Sequence, residues 1–577
     1  MNDTIKLSAL DSHFADFILR IDRHPCDELW WGAALASYFA GRGHSCFHLL
    51  NVSDSAVLSL PASTRKIPLP RVGLPRWFSA LQSCDTVGAP GEFTPLVLDS
   101  SGRLYLQRCW KYEQQISSGI LKRSRSLTPD EARLDAALDR YFPAQADGVD
   151  MQRAAARMAL THRFSVISGG PGTGKTATVA RILAVLLDVE GAAGENGGGP
   201  NIMLAAPTGK AAMRLHQSIR LAAGNLALPA VLKDRLPVEV STIHRLLGVQ
   251  SRRGGFRHNI DNRLPCDILV VDEASMVDLQ LMAGLLEALR DDARLILLGD
   301  RNQLASVEAG AVLADICDSA GEATVAVTQL TRSYRFGSDS GIAALSRLIN
   351  DGAAGAAAEL LEAGQFPDIS WRELPDGRAF EGVFAAAVRQ GYARYVAATS
   401  PDEALAELGT FRVLSPLRSG MFGMENLNAI CENTLGAKRK NEDQGGRPLP
   451  VMISGNNYEL GLFNGDTGVV MESDGATAAW FESADDGLRR LSLSRMPPFE
   501  TAFALTVHKS QGSEFDKVLL ILPDRLSEVL CRELLYTAVT RARRHIEIWG
   551  TAEVFRQIVE RRTIRSSGLR ELLALGG

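Results

Sequence analysis

The stretch Phe164-Ser165-Val166-Ile167-Ser168-Gly169-Gly170-Pro171-Gly172-Thr173-Gly174-Lys175-Thr176 decides how the rest of the chain is read. A short apolar run leads into a glycine-rich turn and then into a helix-forming sequence. That context gives the turn its chemistry. Backbone N–H groups from Gly169, Gly170, Pro171's neighbours, Gly172, Thr173 and Gly174 can wrap phosphate oxygens at the start of a helix, where the field favours anions. Lys175 then reaches the β- and γ-phosphates, and the Thr176 hydroxyl is placed for a magnesium ion.

Moving outward, the pattern of strand, turn and helix repeats. Candidate strands are Phe164–Ser168, Ile202–Ala206, Ile268–Val271, Arg294–Leu298 and Thr324–Leu330. Short, continuous apolar runs between helical stretches predict a parallel sheet covered on both faces. A second series follows at Phe411–Ser415, Ala502–Thr506, Lys517–Leu522 and His545–Trp549. Between its members, residues 450–500 read as a small β-rich insertion with Asn-Gly-Asp and Ser-Asp-Gly turns. The glycine-rich piece Gly191–Pro200 reads as a surface loop, and Thr128-Pro129-Asp130-Glu131 as a helix start with a capping hydroxyl.

Asp272-Glu273 closes the run Ile268–Val271, at the carboxyl edge where open α/β sheets bind ligands. Asp272 is the candidate metal carboxylate, with Thr176. Glu273 is the candidate base for the attacking water. Gln303 follows another apolar strand and is placed to sense phosphate or water. Two late arginines, Arg335 and Arg541, are candidates for the charge that stabilises phosphoryl transfer. Arg541 belongs to the second series, so it reaches a nucleotide only if two lobes close on it.

A second glycine-containing turn, Pro207-Thr208-Gly209-Lys210, repeats the strand–turn–helix design without the full phosphate loop. It is read as a contact to strand phosphates. Thr242 and His244, and from the second lobe His508, Lys509 and Ser510, extend that track. Nothing in these segments is aimed at base edges, which fits single-stranded nucleic acid held by phosphate and stacking.

A chain of 577 residues is too long for one core. We expect an N-terminal domain at 1–110, a linker at 111–148, a first lobe at 149–340 and a second lobe at 341–577. Eight widely spaced cysteines without Cys-x-x-Cys spacing suit reduced, buried thiols of a cytoplasmic protein rather than a disulfide frame or a zinc site. No signal peptide or spanning run is expected, hence no membrane partner. The net charge of −5 excludes a surface coated in phosphate-binding residues, but not a local basic track.

The ordered set of Gln152, the phosphate loop, Ala-Pro-Thr-Gly-Lys-Ala-Ala, Val-Val-Asp-Glu-Ala-Ser-Met, Leu-Gly-Asp-Arg-Asn-Gln-Leu, Ser-Tyr-Arg, Val-His-Lys-Ser-Gln-Gly-Ser-Glu-Phe and Tyr-Thr-Ala-Val-Thr-Arg-Ala-Arg resembles superfamily 1 helicases across residues 150–550. In detail it is similar to the RecD family, the alpha subunits of bacterial exodeoxyribonuclease V (RecBCD). Phe256–Pro265 and His13-Phe14-Ala15 carry that finer likeness. The resemblance implies an α/β fold of two RecA-like P-loop NTPase lobes, with a small N-terminal domain and an SH3-like insertion in the second lobe. It implies ATP and Mg²⁺ as cofactors, adenine recognition by Gln152, γ-phosphate contacts from Arg335 and Arg541, and Gly512 and Glu514 near the nucleotide. It also implies 5′→3′ movement on single-stranded DNA at duplex ends, in double-strand break repair and recombination. RecB-like and RecC-like subunits would complete a heterotrimer, the nuclease lying in the RecB partner and the N-terminal domain docking on partners. A hairpin around Gly254-Gly255 is the candidate separating element. The alternatives are a stand-alone RecD-like helicase, whose longer members carry helix-hairpin-helix motifs not seen here, and a nucleotide-gated regulatory subunit without motor activity.

Overall fold

The computed structural model describes residues 4–575, apart from 52–56, 60–65, 69–73, 144–149, 191–198, 227–228, 234, 238, 251–253, 321–324, 338, 437–446, 458, 474 and 484–486. Most of the glycine-rich piece expected as a surface loop, and Thr324 of the fifth candidate strand, lie outside the described residues.

The phosphate-loop strand Phe164–Gly169 sits inside a six-stranded parallel sheet. The spatial order is Val240–Thr242, Ile202–Ala206, Ile268–Val271, Arg294–Gly299, Phe164–Gly169, Ala326–Leu330. The continuous apolar runs follow from the two-residue period of a strand. Leu269, Val271, Leu295 and Leu297 point into one apolar cluster, while Ile268, Val270, Ile296 and Leu298 point into another on the opposite face. Both faces are covered by helices, so neither set of alternating residues can be polar.

The second parallel sheet has five strands in the order Ile369–Glu373, Ala542–Gly550, Phe515–Ile521, Phe411–Ser415, Ala504–Thr506. It is built the same way, with Val518 and Leu520 in one cluster and Leu519 and Ile521 in another. The excursion between Phe411–Ser415 and Ala504–Thr506 forms a five-stranded antiparallel sheet, in the order Leu488–Leu491, Ala476–Glu482, Thr467–Ser473, Leu449–Ile453, Phe499–Thr501. The chain is therefore α/β with two parallel-sheet lobes and an antiparallel insertion.

The N-terminal region has its own apolar cluster, running from Leu7 to Leu104, around helices Ala9–Ile21 and Asp27–Ala40. Ser8 and Asp11 close a reciprocal capping box at the first of these helices. A four-stranded sheet, Cys46–His48, Arg103–Leu106, Leu96–Leu98, Val87–Gly88, completes it. All eight cysteines are free, and seven are buried. Among the described residues no helix is long and apolar enough to cross a membrane.

Two expectations meet a different arrangement. The stretch 111–148 holds no loose connector at its start: helix Gln107–Arg123 drives Cys109, Ile116 and Ile120 into the first-lobe core. Gly119 is required there, because a Cβ would come within 2.9 Å of Leu286 Cβ. Arg123 is fully buried and donates to the carbonyls of Gly119, Leu289 and Arg290 at 2.8, 2.9 and 2.5 Å. The helix Glu131–Tyr141 is capped by Asp130, accepting from Arg133 N, and not by Thr128. Asp130 is adjacent to the first helical residue, which is where an oxygen reaches the free N–H groups.

The tail beyond about residue 563 also leaves the second lobe. Leu569 and Leu573 enter the first-lobe cluster, and Arg565 donates to the carbonyls of Ser306, Glu308 and Gly310 at 2.6, 2.8 and 2.8 Å. Buried Glu113 accepts from Ser45, from Ser567 Oγ at 2.9 Å and from Gly568 N at 3.2 Å. One carboxylate thereby ties N-terminal region, connector helix and C-terminal tail together. Burial pushes its pKa up to about 7, against those hydrogen bonds.

Candidate active site between two lobes

The phosphate loop has the conformation its sequence demands. Gly172 and Gly174 both sit at φ +77°, where residues with a Cβ are strained. A Cβ at Gly172 would also fall 2.4 Å from Arg335 Cβ, and one at Gly174 would fall 2.7 Å from Gln152 Nε2. Gln152 and Arg335 therefore flank the loop. Gln152 is held by a bond from its Nε2 to the Thr173 carbonyl at 3.1 Å. Lys175, first residue of the helix Lys175–Glu190, folds its ammonium over the carbonyls of Gly169 and Gly170, the latter at 3.1 Å. Thr176, also in the first turn of that helix, is half-buried.

The acidic pair lies at the carboxyl edge of the same sheet, with Asp272 N donating to the Ala205 carbonyl at 2.9 Å. Glu273 has φ 51° and ψ 40°, the one positive-φ residue other than glycine among those described. A left-handed glutamate costs about 1–2 kcal/mol, and such strain concentrates at working sites. Burial, then the neighbouring Glu273 charge, push the Asp272 pKa up to about 6, against Lys175 and Arg214. A buried Asp272 with half-buried Glu273 at the same sheet edge as the phosphate-loop strand is a hard-oxygen donor set that suits Mg²⁺, which takes one or two carboxylates together with phosphate oxygens and water.

Gln303 is 6 % exposed and bonds Asp300 Oδ2 through Nε2 at 3.3 Å. The same Asp300 oxygen accepts from Tyr536 Oη at 2.9 Å. Tyr536 comes from the second-lobe helix Arg532–Val539, and its hydroxyl lies 3.0 Å from a Cβ built on Gly170. Two further bonds close this corner: Leu304 N donates to Thr537 Oγ1 at 2.9 Å, and Gln511 Nε2 to the Leu304 carbonyl at 2.8 Å. Asp300, Tyr536 and Gln511 were missed by sequence reasoning. Tyr536 had a signal, standing five residues before Arg541 in Tyr-Thr-Ala-Val-Thr-Arg.

Arg335 and Arg541 both act on Glu514. Arg541 is 2 % exposed and is braced by the carbonyls of Thr537 and Ser513, both at 3.1 Å. Burial lowers its pKa, while the charges of Glu273 and Glu514 oppose that shift. A second-lobe arginine thus feels the first-lobe acid. Arg335 Nη2 pairs with Glu514 Oε1 at 2.7 Å, while its buried Nη1 has no partner among the described residues. Glu514 is held down to about 2: burial raises it, but Arg214, Arg335 and Arg541 outweigh that.

The residues expected to contact nucleic acid adjoin this cleft. Thr208 caps the helix Gly209–Asn225, and Thr242 caps Ile243–Leu247 beside exposed His244. Gly512, at φ +71°, would bring a Cβ within 3.8 Å of Thr208 Oγ1, so the 508–514 segment meets the 207–210 turn directly. Lys210 lies among Arg412, Arg214, Glu482 and Asp466; burial and then the two arginines draw its ammonium down to about 8. Phe463 and Asp466, in the loop between strands Leu449–Ile453 and Thr467–Ser473, pack against Gly209, a closeness the sequence did not signal.

The second-lobe half of the track differs from expectation. Ser510 is fully buried and donates to the Val507 carbonyl at 2.7 Å, so its hydroxyl shapes the turn and does not face a strand. Lys509 pairs with Glu500. His508 is half-buried, its pKa lowered by burial and by Arg565. Around Gly254 and Gly255, at φ 67° and 84°, a Val249–Phe256 bridge closes a turn whose residues 251–253 are outside the described set.

Comparison with known proteins follows this geometry. The family description "AAA domain" matches residues 152–309, "UvrD-like helicase C-terminal domain" matches 501–547, and "RecBCD enzyme subunit RecD, N-terminal domain" matches 4–105. The chain is 38 % identical to the RecBCD enzyme subunit RecD of Mycolicibacterium smegmatis, over 99 % of this chain and 98 % of that protein. It is 35 % identical to the same-named subunit of Haemophilus influenzae, over 82 % of this chain and 80 % of that one. It is 32 % identical to the ATP-dependent RecD2 DNA helicase of Deinococcus radiodurans, over 82 % of this chain but 58 % of that protein. On its two-lobed nucleotide-binding fold and this end-to-end likeness, the chain belongs to the RecD family.

Proposed function

We propose that this chain hydrolyses ATP in the cleft and uses the resulting opening and closing to move 5′→3′ along single-stranded DNA, as the RecD subunit of a RecBCD-type helicase–nuclease. The observation that carries this reading is the double adjacency of one second-lobe segment. Residues 512–514 touch the Thr208 turn on one side and Arg335 on the other. The proposed nucleotide and strand contacts therefore share one segment.

In the proposed cycle the phosphate-loop N–H groups and Lys175 bind the β- and γ-phosphates, Lys175 leaving the Gly169 and Gly170 carbonyls it now covers. Thr176 and Asp272 would hold Mg²⁺, which would supply charge neutralisation. Gln152 contacts the adenine. Glu273 takes the proton of the attacking water, and Gln303, steadied by Asp300, orients that water. Arg335 and Arg541 neutralise charge on the transferring phosphoryl group, an effect worth a factor of about 10³ to 10⁵ in related phosphoryl transfers. Loss of the γ-phosphate removes what draws the second-lobe arginine inward, and the lobes relax. The strand is gripped by Thr208, Gly209 and Lys210 with Thr242 and His244 from the first lobe, and by Lys509 and His508 from the second.

Full-length similarity to subunits named RecD supports assembly with RecB-like and RecC-like partners over a stand-alone role, since the RecD2 helicase aligns over only 58 % of its length. The acid, amide and arginines gathered at one cleft support a motor over a passive switch.

The test is ATP hydrolysis with and without single-stranded DNA, by the chain alone and with partner subunits. We expect DNA to stimulate hydrolysis. Lys175→Gln should reduce the rate by at least about 10²-fold, the effect of deleting one preorganised charge donor, with assembly intact by size-exclusion chromatography. No hydrolysis in any assembly on DNA ends contradicts the motor, and loss of assembly in Lys175→Gln makes the loop a structural element.

A further inference from the structure

Arg214 belongs to no motif singled out in the sequence, yet it is the side chain that joins the strand turn to the arginine clamp. It lies in the helix Gly209–Asn225, which starts at the Thr208 cap. Its guanidinium leaves the first lobe. Nη1 donates to the Gly512 carbonyl at 2.8 Å and Nη2 pairs with Glu514 Oε2 at 2.9 Å. The other carboxylate oxygen, Oε1, accepts from Arg335 Nη2 at 2.7 Å. Arg543 stands farther off, 3.5 Å from Oε2, with its side chain 47 % exposed. Arg335 in turn rests on the phosphate loop, where Tyr334 N donates to the Gly172 carbonyl at 2.7 Å.

We infer that Arg214 is a positioning residue that transmits strand engagement at Thr208–Lys210 to Arg335, through Glu514. This rests on the reading of the cleft as a DNA-stimulated ATPase. A helix is stiff over two turns, so a strand phosphate that shifts the turn shifts the root of Arg214 with it. Charge-assisted hydrogen bonds weaken steeply with distance and angle, so small movements redistribute the carboxylate between its two guanidiniums. When Arg214 draws Glu514 toward the track, Arg335 is released and its unpartnered Nη1 and freed Nη2 can meet the γ-phosphate. Without Arg214, Glu514 balances mainly on Arg335 and holds it whether or not a strand is bound. Simple stapling of the lobes would need only one of the two bonds. The fork to both Gly512 and Glu514 fixes the carboxylate's direction as well.

The experiment measures ATP hydrolysis by the full chain, with and without oligo(dT), for wild type, Arg214→Ala, Arg214→Lys, Glu514→Gln and the Arg214→Ala/Glu514→Gln double variant. Oligo(dT) affinity is followed by fluorescence anisotropy and folding by Tm. We expect Arg214→Ala to lose about tenfold of the DNA stimulation, within the usual range of coupling between sites, with oligo(dT) affinity and Tm near wild type. Arg214→Lys should recover part of the stimulation, and the double variant should lose no more than the worse single one, because both act through one contact. Stimulation retained in Arg214→Ala, or additive losses in the double variant, overturns the inference. So does a matching fall in oligo(dT) affinity, which makes Arg214 a strand contact, or a lowered Tm without rescue by lysine, which makes it a staple. Wild-type hydrolysis that ignores oligo(dT) overturns the underlying ATPase reading, and this inference with it.

Discussion

Arg541→Lys should lower the DNA-stimulated kcat for ATP hydrolysis by about 10³-fold, the lower end of the range for losing an arginine finger, while KM for ATP changes far less. Lysine is the informative replacement. Arg541 is 2 % exposed and its fork bridges two backbone carbonyls, so alanine would open a cavity and remove the donor to the Ser513 carbonyl, while Thr537 keeps the Thr540 hydroxyl. Lysine keeps one charge in the cleft but cannot span Thr537, Ser513 and a phosphate together. The effect should fall on kcat because charge builds on the phosphoryl oxygens chiefly in the transition state. Steady-state kinetics at saturating oligo(dT) measures it, with circular dichroism to check folding. A rate within tenfold of wild type would mean that Arg541 braces the lobe and does not serve the reaction.

Glu273→Gln should lower kcat by about 10² to 10⁴-fold, the usual worth of a positioned general base. Glutamine has the shape of glutamate and faces the same left-handed backbone at φ 51°, so the strain is unchanged and the comparison isolates the charge. ATP binding should persist, since the phosphate loop and Lys175 remain. The variant should therefore accumulate bound ATP, which a fluorescent nucleotide analogue and single-turnover hydrolysis would detect together. Wild-type turnover with glutamine at 273 would move the base elsewhere, and Asp300 would be the next residue to change.

These two residues also mark how the fold and site were legible. Central strands declared themselves because both faces are buried, which forces unbroken apolar runs such as Ile268–Val271 and Leu295–Leu298. Of the four edge strands of the parallel sheets, Ala326–Leu330 and Ala504–Thr506 were legible and the other two were not. Ile369–Glu373 and Val240–Thr242 each pair on one side only and carry exposed or half-exposed residues, so their sequences lack the signal. The first-lobe motifs were readable because phosphate and metal chemistry admits few residue types in few spacings. What was not readable is whatever depends on the lobes meeting. Tyr536 over the phosphate loop and Gln511 on Leu304 are ordinary residues until the two sheets face each other. Ser510 shows the converse: a hydroxyl in a contact motif spent on its own turn. The connector helix was hidden by its composition, since Glu113 and Arg123 are fully buried charges that read as surface. Apart from the Gly119 carbonyl, their partners come from residues 45, 289–290 and 567–568, far away in sequence.

Directional movement on single-stranded DNA is the central claim, and streptavidin displacement tests it most directly. The full chain is given ATP and oligonucleotides carrying biotin at either the 5′ or the 3′ end, and the release of streptavidin is timed. The account predicts ATP-dependent release from 3′-biotin oligonucleotides and none from 5′-biotin ones, as for a motor running 5′→3′, with release abolished by Lys175→Gln. Release confined to 5′-biotin oligonucleotides, or release that survives Lys175→Gln, would contradict it.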